Sequence, residues 1–526
     1  MTVAEPEATA GDEPPAEVDV VVIGAGHNGL VCAGYLAAAG LEVCVLEARD
    51  VVGGNTLTEE LTLPGFRHDS CSSAHVLIQA NPLIADDELG LLATYGLRYE
   101  TTDPAVVLPQ PDGDLLVMHR DLGATATELA RYSADDARAF EAMLAEWDGG
   151  LAAVHGRWNS ALPLGDGPAA ARYLATKAGT AWDVVHTRFR HPVVRSFLTW
   201  LAFATIQDPR RPGTGVLPAA IASGRLRFGW ATPVGGSGAL PDALVRHVRA
   251  HGGTVVTAAP VAAIGVRGNR ARVVRTADGR AVTARRGVVS AAHLATLAGM
   301  VEGVPPPDDL RTARDSWRPG LSVFAVHAAL AGDLSFGPDG ATRSVAAGYG
   351  TAQGLADQLD AGHRGVAEGG DPWLLVVDQT VADPGRAPGG AATFKILTVA
   401  PYERSDGRSW DDAKLEHAQA LVRRVAARAG GLGAGEVLAL RAESPVDVAA
   451  HNPFNLGGSC HGGEFDDGSG GVLRGWPEYR TGVEGLFLTG ATTHPGGSVS
   501  GRPGRNAARA VLTALGLDPG TVMSPR

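Results

Sequence analysis

Residues Val18–Glu47 read VDVVVIGAGHNGLVCAGYLAAAGLEVCVLE, and three kinds of segment follow one another within them. Val18–Ile23 is a nearly unbroken apolar run, the pattern of a strand covered on both faces. Asn28–Ala39 is rich in helix-forming Leu, Ala and Tyr, and Glu42–Leu46 is apolar again, so the stretch predicts strand, helix, strand. Between the first strand and the helix stands Gly24-Ala25-Gly26-His27-Asn28-Gly29, a G-x-G-x-x-G in the one context that gives the pattern meaning. Gly24 permits the tight turn, Gly26 lets bare backbone approach a pyrophosphate, and Gly29 allows the helix to pack closely on the strand. The helix N-terminus then offers its N–H groups to the anion. Glu47 closes the second strand, placed to accept hydrogen bonds from ribose hydroxyls and to disfavour a 2′-phosphate.

NAD and FAD share this fingerprint, and the residues after Glu47 separate them. Ala48-Arg49-Asp50-Val51-Val52-Gly53-Gly54-Asn55 sets two glycines just past the ribose-binding acid, where a second bare loop can close over an extended dinucleotide. Arg49, or the amides of Gly53, Gly54 and Asn55, can neutralise pyrophosphate charge. FAD is therefore the expected cofactor, bound non-covalently.

Three segments also carry a family likeness. The stretch from Val18 to Gly54 resembles the start of the phytoene desaturase-like FAD-dependent oxidoreductases. ATPVGGSGALPDALVRHVRAHGGTVVTAAPVAAI, from Ala231, resembles their central helix and strand, and VEGLFLTGATTHPGGSVSGRPGRNAARAVL, from Val483, resembles their C-terminal flavin signature. In its GAGHNGLV and THPGG versions of these motifs the chain is similar to the branch containing the mitochondrial pyridine nucleotide-disulphide oxidoreductase domain-containing protein. The resemblance implies that Val261 approaches the adenine side of FAD through its backbone, and that Gly490, Ala491, Ser498 and Val499 lie along the flavin end. A helix start at that end has a physical use of its own, since reduced flavin carries negative charge that a positive helix terminus stabilises. Pro503 suits a first helical turn.

A chain of 526 residues is too long for one small core. The fold class expected is α/β, a Rossmann-like FAD-binding domain interleaved with an α+β substrate domain that carries a helical cap. Residues 1–17, acidic and rich in Pro and Ala, read as a disordered tail. The FAD-binding domain is expected in three parts, 18–75, 225–300 and 482–520, with the substrate domain between them at 76–224, the part that carries the helical cap, and 301–481. In the C-terminal part, Gly485–Thr489 reads as a strand, Gly490–Gly504 as a loop and Arg505–Leu515 as a helix. A net charge of −12 argues against nucleic acid as a partner. Four cysteines without a C-x-x-C pair, and no basic, apolar leader, point to the cytoplasm. The Ala, Gly and Arg bias, with lysine only at 177, 395 and 414, suggests a bacterial genome. No run approaches the roughly 18 apolar residues of a spanning helix, which leaves peripheral membrane contact open.

The motifs that are missing narrow the chemistry. Gly235-Gly236-Ser237-Gly238 has the wrong spacing for a second dinucleotide unit, so NAD(P)H is not the expected reductant. The GGSVSG loop has no cysteine for a flavin thioether, and the histidines lack metal-ligand spacing, so no metal is expected. The expected activity is that of a dehydrogenase, desaturase or oxidase, moving hydride from a C–C or C–N bond of a mainly apolar small molecule to flavin N5. Oxygen or a quinone would accept the electrons. An isomerase without net redox and a non-enzymatic FAD scaffold are the alternatives. His494, in the flavin loop, is the first choice for a base and His461 the second, each a group that titrates near neutrality. Lys395 in the TFKIL strand and Glu464 are expected at the surface. Thr187–Ile206, with Arg188, Arg190 and Arg195 ahead of an apolar stretch, reads as a helix buried in the cap, lining an apolar tunnel or resting on a membrane.

Overall fold

The computed structural model describes residues 13–367 and 370–524; residues 1–12 of the expected tail lie outside the described residues. The first strand, β1, spans Glu17–Ile23, the helix α1 His27–Ala38 and the strand β2 Val43–Leu46. Parallel neighbours flank β1: β2 on one side and Ala281–Ser290 on the other. Thr254–Val256 adds beyond β2, and Leu486–Leu488 adds beyond the second half of Ala281–Ser290. Arg270–Thr276 covers only the first half of that long strand, Val273 facing Thr283 and Arg275 facing Ala281, which is what leaves room for Leu486–Leu488. The registers bring Ile23, Leu46, Val256, Ser290 and Leu488 to one edge of the sheet.

The apolar run of β1 is continuous because both its faces are buried. Val20 and Val22 pack with Leu30 and Tyr35 of α1 and with Leu244 and Val511 from two further helices. Val21 and Ile23 point the other way, into a core with Val274, Leu297 and Leu310, as the two-residue repeat of a strand dictates.

A second sheet of seven strands runs in the order Val437–Glu443, Val323–Leu330, Ala392–Val399, Leu374–Asp378, Ala346–Tyr349, Val106–Pro109, Leu115–Met118. It is antiparallel apart from the pairing of Ala346–Tyr349 with Val106–Pro109. Helix Trp410–Ala426 covers one face, with Trp410 and Leu421 against Phe324 and Val326. Helix Pro192–Phe203 covers the other, with Phe197 and Trp200 against Trp373 and Val377. Seven α-helices between Leu122–Ala130 and Leu217–Phe228 form the cap.

Two sequence readings need correction here. Thr187–Ile206 is two helices, Ala181–Arg188 and Pro192–Phe203, because Pro192 holds the preceding residue in extended backbone. The second of them is buried from Phe197 to Phe203, and Arg188 pairs with Glu146 at 2.8 Å. The C-terminal helix spans Arg502–Ala514 and so begins three residues earlier than Arg505: Gly501 takes φ 62° as its cap and Pro503 falls in the first turn, where its missing N–H leaves nothing unbonded. Among the described residues no helix is long and apolar enough to cross a membrane.

Candidate functional site

The strand ends aligned on one edge are the place where open parallel sheets bind ligands, and a cavity of 390 Å³ lies there. The loop after β1 enters it first. Gly24 takes φ 96° and hands the chain to α1. A Cβ built on Gly26 meets nothing within 4 Å, whereas one on Gly29 would stand 2.1 Å from the Gly24 carbonyl oxygen. Gly26 is thus bare toward open space and Gly29 is bare because the loop is tight.

Glu47, buried at the end of β2, accepts the Ala25 N–H at 2.6 Å and the Arg49 N–H at 3.0 Å. Burial raises its carboxyl pKa, with those amides pulling the other way. Gly53 donates its N–H to the Ala25 carbonyl at 2.9 Å, laying the second glycine loop against the first. Asn55 is held by loop 452–460: its Nδ2 donates to Asn455 Oδ1 and to the Cys460 carbonyl, each at 2.8 Å, and its Oδ1 accepts from Asn452 at 2.8 Å. Arg49 is the exception in this group. Its Nη1 reaches the Gly54 carbonyl at 3.4 Å and the side chain is not among the residues lining the cavity, so its charge serves the turn instead of the cavity wall.

Val261, Gly490, Ala491, Ser498 and Val499 line the same cavity as Gly24, Gly26, Gly29, Glu47, Gly53, Gly54 and Asn55. Ser498 takes φ 128°, a strained conformation for a residue with a side chain, where the chain bends toward the C-terminal helix. The two candidate bases part company. His494 does not line the cavity; its Nε2 faces the Trp158 carbonyl at 2.7 Å and its ring meets Trp158 edge-on. His461 does line it, with Nδ1 3.1 Å from Cys460 Sγ. Burial, with Arg474 nearby, pushes the His461 imidazole down to about 3, so it is neutral and not a group poised near pH 7. His461 also lines a second cavity of 720 Å³, together with Arg474 and Glu464. Glu464 is half-buried and paired with Arg211.

Lys395 corrects the expectation of an exposed lysine. Helices cover both faces of its sheet, so no outer face exists, and the side chain is 5% accessible. Nζ lies within 3.3 Å of the carbonyls of Asp69, Ser70 and Cys71 and of Ser73 Oγ. Asp69 is the next knot: its carboxylate accepts from Thr58 Oγ1, the Ser237 N–H and Gln379 Nε2 and pairs with Arg386 at 2.9 Å. These bonds hold Cys71 to Ala74 along the cavity wall. The sequence signal for Lys395, a single cation in an apolar strand, was visible, but its partners are backbone groups some 320 residues away.

The residues present fit FAD. All three motif segments line one cavity, the Gly26 backbone is open to it, and the amide of Asn28, 3% accessible, has neither Nδ2 nor Oδ1 bonded to protein. Buried polar groups of that kind call for a polar ligand. The fold and this site define a flavin-dependent oxidoreductase.

The chain belongs to the family of flavin containing amine oxidoreductases, whose sequence profile matches residues 29–512. FAD is its cofactor. It is 28% identical to pyridine nucleotide-disulfide oxidoreductase domain-containing protein 2 of Mus musculus, across 95% of this chain and 94% of that one, which bears out the branch read from the motifs. A limonene dehydrogenase subunit of Castellaniella defragrans is 27% identical across 95% of this chain and 96% of its own. A putrescine oxidase solved with putrescine bound shares the fold, with a TM-score of 0.61 at 18% identity over 95% of this chain and 99% of that one.

Proposed function

We propose that this enzyme removes two hydrogens from a C–C or C–N bond of a mainly apolar small molecule, with oxygen or a quinone reoxidising the cofactor. The observation that carries this reading is the wall of the cavity beyond the glycine loops, where Val76, Leu77, Ala204, Ile221, Leu375 and Leu397 face the interior. The name of the limonene dehydrogenase relative agrees with dehydrogenation of an apolar molecule. Bound FAD supplies the two-electron acceptor. The apolar side chains orient the substrate and keep water from the reacting carbon. Gly24–Gly29 and Gly53–Asn55 hold the pyrophosphate, and Glu47 holds the ribose. His461, neutral and with Nδ1 facing Cys460, meets the substrate as part of the cavity wall and not as its base, whereas His494 serves the fold by bonding the Trp158 carbonyl.

The test is anaerobic mixing of the enzyme with panels of apolar alkenes, alcohols and amines, followed by mass spectrometry. Flavin bleaching together with a product two hydrogens lighter supports the reading. Product of unchanged mass, formed only after chemical reduction of the flavin, would show an isomerase, and no bleaching by any compound would count against the reading.

A further inference from the structure

Arg225 lies on helix Leu217–Phe228 and is 6% accessible. Its guanidinium stacks on Trp230, 4.0 Å from the ring centroid, and Trp230 is fixed in turn by donating Nε1–H to the Ser73 carbonyl at 3.2 Å. Nε and Nη1 are buried without a hydrogen-bond partner, and among the described residues no carboxylate forms an ion pair with this side chain. Both Arg225 and Trp230 line the cavity, beside Ile221 and Gly224 of the same helix and Val76 opposite.

Three other buried cations among the described residues are compensated. Arg386 pairs with Asp69 at 2.9 Å, Arg505 with Glu88 at 2.6 Å, and Lys395 is ringed by oxygens. A buried, unpaired guanidinium is costly to the fold, and an aromatic face offsets only part of that cost. Burial lowers the Arg225 pKa to about 9, which still leaves a cation at neutral pH. Trp230 covers one face of the planar group, so a partner meets the N–H donors that lie in its plane, a geometry that suits a planar carboxylate. The neighbours of Arg225 belong to the apolar part of the wall and not to the glycine loops, so the FAD pyrophosphate is not the partner this edge awaits.

We propose that Arg225 anchors the carboxylate of an otherwise apolar substrate, so that the compounds this enzyme takes are apolar acids. The inference rests on the apolar-substrate reading above and narrows it. The experiment is isothermal titration of the FAD-loaded enzyme with dodecanoate and, as the neutral control, 1-dodecanol, in wild type, Arg225→Met and Arg225→Gln. Dodecanoate should bind wild type more tightly than 1-dodecanol does. Both substitutions should weaken dodecanoate by about ten- to a hundredfold, the worth of a hydrogen bond to a charged group, and leave 1-dodecanol unchanged. The ligand-free variants should melt at or above the wild-type temperature, since they lose an unpaired charge. Equal affinity for the two compounds, no dodecanoate binding, or variants that retain dodecanoate affinity overturns the proposal. If Arg225→Met does not fold, Arg225→Gln, which keeps a polar head, decides alone. Because calorimetry reads binding without turnover, an acid that binds through Arg225 but never bleaches the flavin would count against the proposed reaction and not against the anchor.

Discussion

Gly26 and Gly29 stand three residues apart, and a methyl group added to each meets different surroundings. At Gly26 it projects into open space and at Gly29 it collides with the Gly24 carbonyl. Gly26→Ala should therefore fold with a loss of no more than about 1 kcal/mol yet emerge from gel filtration with a reduced flavin-to-protein absorbance ratio. Gly29→Ala should lower apoprotein stability by about 1–3 kcal/mol, the usual cost of overpacking, measured by urea denaturation. Equal flavin content in wild type and Gly26→Ala would remove Gly26 from the cofactor site. His461→Phe should lower kcat/KM by less than the roughly 10²–10⁴-fold that loss of a proton-transfer group brings, because an imidazole pushed down to about 3 is too weak a base for that work. Since its pKa is pushed to about 3, the wild-type profile should show no inflection from this group between pH 5 and 8. At this scale the glycines were legible because their role is set by neighbours in the chain. Lys395 and Arg225 were not, because what decides them is which distant groups do or do not reach them.

The short hairpin of Thr58–Glu59 with His68–Asp69 connects the two sheets through Asp69. Its carboxylate takes hydrogen bonds from the hairpin itself, from Ser237 ahead of helix Ala239–Ala250 and from Gln379 after strand Leu374–Asp378, and it faces the buried Arg386. Asp69→Ala leaves that guanidinium without a counter-charge and should cost about 3–5 kcal/mol. The measurement is the thermal unfolding midpoint, which the second-site change Arg386→Met should partly restore. No rescue would mean that the hydrogen bonds and not the ion pair carry the node. Elements with strong local patterns were readable: β1, α1 and β2 matched to within a residue or two, as did Ala392–Val399. Val106–Pro109 and Leu115–Met118 fall in the part expected as substrate and cap domain with no element named, since four-residue apolar runs do not distinguish a strand from a buried helix segment.

Seven histidines among the described residues, pushed down by burial, shape the acid response of the molecule. Burial lowers His27, His293 and His417 to about 4 and His68, His75, His155 and His461 to about 3. Between the ordinary value near 6.5 and these depressed values the unfolded chain binds more protons than the folded one, so stability is lost as pH falls through that window. Each group contributes up to about 1.4 kcal/mol per pH unit. Asp378, pushed up to about 6 by burial, acts in the opposite sense, and the seven histidines outweigh it. The denaturant midpoint should therefore drop steeply between pH 7 and 5; a midpoint flat across that range would mean the histidines are not buried neutral.

The parallel sheet joins strands far apart in the chain. β1 pairs with Ala281–Ser290, and that strand is completed by Leu486–Leu488, about 460 residues after β1. Pairings of such separation are slow to form, and here the last of them brings in Gly490, Ser498 and the helix whose Gly504 packs against the Asn28 carbonyl. During synthesis the cavity can therefore close only when Leu486–Leu488 and the helix after it have left the ribosome. A nascent chain arrested before residue 486 would carry the complete glycine fingerprint and still hold no flavin, which makes flavin capture a report on the arrival of this last pairing.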